Sequence, residues 1–157
     1  MAISKKLKEI LEEKGVQYEA EEHPAAYTAQ EIAAAQHVPG DRLLKSVIVR
    51  KEDGEYIMVV LPSTRLVDFD KLSALTKDKK LELANEDELG KLFPDYELGA
   101  EPPFGNLYGL KVYADRSIEE SDEVYFNGGS HTDTVKMELS DYIDITQPIM
   151  GDIGRHI

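Results

Sequence analysis

Cysteine is absent from this chain of 157 residues. That excludes disulfides, thiolate nucleophiles and cysteine-ligated zinc. Basic residues are scarce: 18 lysines and arginines against 31 acidic side chains leave a formal charge of −13. Such a balance works against sequence-independent binding along a duplex, which rests on many phosphate contacts, so DNA is not an expected partner. It leaves room for one nucleic-acid end held in a local basic pocket. No uninterrupted apolar run reaches the roughly 20 residues of a membrane span. Charges break up the apolar residues of the opening "MAISKKLKEILEEKG", which therefore does not read as a signal peptide. The expectation is a cytoplasmic protein with no membrane partner. Walker loops and dinucleotide fingerprints are missing, and no nucleophile elbow surrounds Ser46, Ser63 or Ser130. Nothing in the chain calls for a cofactor.

What is present reads as one domain over residues 1–157, long enough to bury a core. Ser4 can cap a first helix whose apolar face is Leu7, Ile10 and Leu11, with Gly15 to end it. "VQYEAEEHP" looks extended. "TAQEIAAAQHV" has Thr28 and Glu31 at capping-box spacing, which predicts a short helix stopped by Pro39 and Gly40. "LLKSVIVRKEDGEYIMVVLP" predicts a hairpin turning at Asp53-Gly54, and its continuous apolar runs predict strands buried on both faces. "VDFDKLSALT" and "NEDELGKLF" read as helices, the second with Asn85 and Glu88 in capping-box relation, and "LEL" reads as a short strand between them. A strand over 107–114 is expected, then two more in "EVYFNGG" and "TVKMELS" with Gly128-Gly129 turning between them. The tail is expected to form a short helix and then fray. Mixed helices and hairpin-joined strands predict an α+β fold with a mixed sheet.

Three features carry chemistry. Lys45 lies among apolar residues near the start of a buried-looking strand. It is either an edge lysine whose stem covers the core, or a cation aimed into a cleft to hold a phosphate or a developing oxyanion. "LGAEPPFGNLYG" carries two adjacent prolines and glycines at 99, 105 and 109. Such a loop is either a tight structural connection or a rigid surface whose backbone approaches a ligand. "NGGSHTDTV" places His131 and Asp133 two residues apart, on one side of a strand. That pair suits acid–base work; with His23 it would make a metal-dependent hydrolase, although two ligands at fixed spacing are too few for a metal site. His131 could equally be a turn residue in solvent.

These elements, in this order, resemble the YbaK/ProX family of aminoacyl-tRNA editing domains, related to the insertion domain of prolyl-tRNA synthetase. The likeness begins at "EEHPAAYTAQEIAAA", passes through "LLKSVIVR" with Lys45 at the family's signature lysine, and reaches Gly99 and Pro103 in its Gly-x-x-x-Pro motif. Phe104-Gly105 completes Pro-Phe-Gly, and "EVYFNGGSHTDTVKMEL" resembles the closing hairpin. The resemblance implies a partly rolled mixed sheet with helices packed outside. It also implies a free-standing deacylase that hydrolyses the ester of a mischarged tRNA, tRNA-Pro among the candidates, with a ribose hydroxyl of the substrate assisting the water. The partner would be the aminoacyl-tRNA 3′ end, with or without a bound synthetase. Lys45 would hold the terminal nucleotide. Gly99 through Pro103, with Phe104 and Gly105, would meet the aminoacyl group through backbone atoms. Gly128, Gly129 and His131 would form one pocket wall, with Thr28 and His23 opposite. A non-catalytic binding module of the same fold is the alternative.

Overall fold

The computed structural model describes residues 3–22 and 40–156. Helix α1 (Lys5–Glu13) buries Leu7 and Leu11 on the face that the apolar spacing marks, and Gly15 follows it at φ +66. Ser4 stands at the N-cap but makes no side-chain capping bond. Its backbone N–H instead donates to the Gly128 carbonyl at 2.7 Å, tying the helix start to the Gly-Gly turn. Strand β1 (Tyr18–Glu22) follows. The helix expected at 28–38 lies outside the described residues.

The hairpin forms as expected from β2 (Leu44–Arg50) and β3 (Tyr56–Pro62), in a register that pairs Lys45 with Leu61 and Val49 with Ile57. Gly54 takes φ +88 in its turn, where the Asp53 carboxylate accepts the Glu55 N–H at 2.9 Å. Next come β4 (Arg65–Val67), α2 (Phe69–Thr76) and β5 (Glu82–Leu83). The Asp68 side chain caps α2 by accepting from the Asp70 and Lys71 amides. Helix α3 (Glu86–Leu92) has the expected capping box, with Glu88 N–H to Asn85 Oδ1 at 2.9 Å and Asn85 N–H to Glu88 Oε1 at 3.1 Å. The Glu88 carboxylate also bonds Tyr56 and Arg50, fixing α3 to the hairpin.

The second half supplies β6 (Lys111–Asp115), β7 (Glu123–Asn127), β8 (Asp133–Glu138), α4 (Leu139–Thr146), β9 (Ile149–Gly151) and β10 (Gly154–His156). Strand β6 starts later than expected. Residues Gly105–Tyr108 form a 3-10 turn, and Gly109 at φ +74 closes it before the strand begins. Nor does the tail fray. Strand β9 runs parallel to β6, and β10 pairs antiparallel with β4. The Asp115 carboxylate anchors this end by accepting the Ile153 and Gly154 amides at 3.0 and 2.8 Å.

The main sheet has the order β5-β2-β3-β6-β9. Its β5–β2 and β2–β3 pairs are antiparallel, and β3–β6 and β6–β9 are parallel, so the sheet is mixed. A second sheet, β1-β8-β7, is antiparallel and meets the first where Leu43 bridges to Tyr125. The two sheets bend around a shared core without closing into a barrel. On β3, Met58 and Val60 face that core, with Leu7, Phe104, Phe126 and Tyr142, while Ile57, Val59 and Leu61 face α2 and Ile153. This two-sided burial is the physical reason for the unbroken apolar run in β3.

Candidate functional site

Phe93, buried at the end of α3, sends the chain back across the molecule. Its ring lies 6.0 Å from Tyr96 and 5.0 Å from Tyr108, so the loop entry is held by an aromatic cluster. From there the loop is clasped to the β7–β8 turn. The Glu97 N–H donates to the Gly129 carbonyl at 3.0 Å. In return the His131 N–H donates to the Glu97 carboxylate at 3.1 Å, and His131 Nε2 lies 2.7 Å from the Leu98 carbonyl. A carbonyl only accepts, so Nε2 carries the proton. His131 is 7% exposed, which makes it a buried wall and not a solvated turn residue.

The backbone conformation favours glycine on both sides of this clasp. Gly99 has φ +83 and Gly129 φ +111, and a Cβ on Gly129 would come within 3.0 Å of Ser4 Cβ and Tyr96 Cδ1. At Gly128 a Cβ would stand 2.7 Å from Ile3 Cγ2. The chain start, the loop and the turn therefore pack as one unit around these glycines.

Three of the loop's amides are spent inside the protein. Gly99 N–H donates to Glu101 Oε1 at 3.1 Å, Ala100 N–H to the Glu97 carbonyl at 3.0 Å, and Phe104 N–H to the Pro102 carbonyl at 2.7 Å. Pro102 and Pro103 have no N–H to offer. The C-terminal half of the motif is an anchor. Buried Tyr142 donates its hydroxyl to the Pro103 carbonyl at 2.7 Å. Phe104, 1% exposed, sits edge-on to Phe126 and Tyr142 at 5.3 Å each. Gly105 lies against Met58, where a Cβ would meet Met58 Cβ at 3.0 Å. These three residues hold the loop from beneath, and the Phe104 side chain is enclosed by the core.

Lys45 leaves β2 on the face of Val47 and Val49, opposite Ser46, because side chains alternate along a strand. It is half-buried, and that burial lowers its pKa from the ordinary lysine value. Among the described residues it forms no ion pair. Its neighbour Ser46 donates its hydroxyl to the Glu101 carbonyl at 3.0 Å, so the strand bearing Lys45 is bonded directly to the loop. The structure thus brings Gly99, Gly128, Gly129 and His131 into one cluster, with β2 tied to its flank. Pro103, Phe104 and Gly105 lie beneath it. Thr28 and His23 lie outside the described residues.

Two participants escaped the sequence reading, Glu97 and Glu101. The available signal was Glu101 itself, the single charged residue in "LGAEPPFG". Asp133 is committed to the Ser130 hydroxyl, and among the described residues no three histidine, aspartate or glutamate side chains gather as a metal site. An open groove of about 840 Å³ lies at the far end of β8, lined by Lys14, Glu19, Glu123 and Lys136. Within it Lys136 pairs with both Glu19 and Glu123.

The chain belongs to the aminoacyl-tRNA editing domain family, which it matches over residues 23–145. That bears out the resemblance read from the motifs. It is 37% identical over 106 residues to a proline–tRNA ligase of Staphylococcus saprophyticus, covering 66% of this chain and 18% of that protein. A proline–tRNA ligase of Thermosipho melanesiensis is 31% identical over 111 residues, covering 71% of this chain and 19% of the relative. The chain therefore spans less than a fifth of either ligase. Among solved structures, hypothetical protein APE2540 has a TM-score of 0.87 at 22% identity, covering 96% of this chain and all of the other. A candidate trans-editing enzyme for prolyl-tRNA synthetase has a TM-score of 0.82 at 23% identity, covering 96% of this chain and 95% of that one. These likenesses establish the fold, a single domain with a mixed sheet. No helix among the described residues is long and apolar enough to cross a membrane.

Proposed function

We propose that the protein is a trans-acting aminoacyl-tRNA deacylase, with mischarged tRNA-Pro as the candidate substrate. The clasp between Glu97–Gly99 and Gly129–His131 supports this reading: it joins the two motifs on which the resemblance to the editing family rests. An aminoacyl ester is already activated, so the site needs to orient it and admit water, without a protein nucleophile. Water attacks the ester carbonyl carbon, the bond to the ribose oxygen breaks, and the free amino acid and a ribose hydroxyl result. The neighbouring ribose hydroxyl of the substrate relays the proton. Lys45 holds the terminal nucleotide as a point charge. Gly99 lets the loop backbone approach the aminoacyl group, and the His131 ring borders its side chain. Gly128 and Gly129 continue this wall, with Thr28 and His23 proposed opposite and the Pro103–Gly105 segment supporting the loop.

The test is release of amino acid from tRNA-Pro charged with alanine, with serine, cysteine and threonine esters alongside. Hydrolysis above the buffer rate supports the reading; stability of every ester contradicts it. One observation favours a second reading. The Gly99, Ala100 and Phe104 amides are all satisfied within the protein, which removes three of the loop's donors from an oxyanion. A non-catalytic module would bind a non-hydrolysable aminoacyl-adenosine analogue yet turn over no ester.

A further inference from the structure

Glu101 is 6% exposed, and among the described residues no lysine or arginine pairs with it. Taking a carboxylate out of water without a cation beside it is costly. Burial accordingly raises its pKa above the ordinary glutamate value, partly offset by its own amide, by that of Gly99 and by nearby His131.

What the residue joins explains its presence. Its Oε1 accepts the Gly99 N–H at 3.1 Å, and its main-chain oxygen accepts the Ser46 hydroxyl at 3.0 Å. Ser46 follows Lys45 on β2, and Gly99 faces the His131 ring. Glu101 therefore bonds both to the strand that carries the lysine and to the glycine that faces the imidazole.

We infer that Glu101 is a positioning residue for the deacylation proposed above: its carboxylate holds the Gly99 amide inward and so fixes the backbone that the ester must meet. The inference rests on that functional reading. Leucine cannot replace Glu101, because it has no acceptor and leaves the Gly99 N–H without its partner. Glutamine keeps one acceptor oxygen for that amide.

The experiment compares wild type, Glu101→Leu, Glu101→Ala and Glu101→Gln on tRNA-Pro charged with alanine, serine, cysteine or threonine, measuring kcat, KM and thermal midpoint. For Glu101→Leu, kcat is expected to fall by about 10-fold or more with KM within about threefold, because a misplaced loop weakens the transition state more than binding. Glu101→Gln, which keeps an acceptor oxygen, should hold kcat within about threefold of wild type. Wild-type kcat in Glu101→Leu, or a loss explained by the unfolded fraction, overturns the inference. Should that variant fail to fold, Glu101→Ala decides by the same criterion. A wild type inert toward every ester overturns the functional reading and this inference together; an active wild type with equally active variants overturns this inference alone.

Discussion

Gly99 and His131 face each other across the clasp: a Cβ on Gly99 would stand 3.6 Å from the imidazole Cε1. That is ordinary contact distance, so alanine fits the space and is penalised mainly by the φ of +83. The left-handed conformation costs a non-glycine residue about 1–2 kcal/mol. Valine adds branched bulk at a Cβ already in contact with the ring. Gly99→Ala is expected to lower the thermal midpoint by about 2–8 °C. Gly99→Val should in addition lose deacylation by about 100-fold in protein that remains folded. Melting curves and single-turnover hydrolysis on the same samples check both.

His131 donates from Nε2 to the Leu98 carbonyl, and a glutamine amide can reproduce that bond. His131→Gln should therefore fold and keep the clasp while changing the wall that the aminoacyl side chain meets. The expected outcome is altered selectivity between alanyl and larger esters, by about 10–200-fold for each methylene gained or lost. Competition between two charged tRNAs in one tube measures it.

Asp115 is buried, which alone would raise its pKa, but its hydrogen bonds from Ser117, Ile153 and Gly154 outweigh burial and hold it below the ordinary 3.8. A carboxyl with a depressed folded pKa adds stability that is present above its unfolded pKa and lost as pH falls through the folded one. Wild type should thus lose stability as pH drops below about 4. Asp115→Asn, which cannot accept from all three partners, should be less stable near neutrality by about 1–3 kcal/mol and have a flatter acid limb. Urea titrations at several pH values test this.

How much of this was legible depended on where each signal lay. The hairpin at Asp53-Gly54 and the Asn85 capping box are local chemistry, written within a few residues, and both formed as expected. Strands β9 and β10 are three residues each, too short for alternation to register, and they exist because β6, β4 and the Asp115 carboxylate meet them. The onset of β6 was missed because Leu107 and Tyr108 look strand-like, yet Gly105 and Gly109 make them a 3-10 turn. The motifs located the clasp, but nothing local told which Gly/Pro-loop residues turn inward. That was decided by Phe126 and Tyr142, which lie far along the chain and enclose Phe104.

Phe104 follows from that enclosure. Phe104→Ala should cost about 3–5 kcal/mol, as for other buried aromatics. Phe104→Leu should cost less and leave substrate selectivity unchanged, since the side chain belongs to the core. A selectivity change in folded Phe104→Leu would place the ring at the ligand instead. Denaturant midpoints and the ester panel separate the two outcomes.

The most direct measurement is deacylation by wild type and Lys45→Ala, each verified as folded, on tRNAs mischarged with alanine, serine, cysteine and threonine and on correctly charged controls. Lys45 is half-buried and, among the described residues, forms no ion pair, so truncation should spare the fold. Rapid loss of one mischarged species by wild type, abolished in Lys45→Ala, is the expected result and names the substrate. Equal hydrolysis by both proteins would contradict the role given to Lys45, and no hydrolysis by either would contradict the assignment of an editing activity.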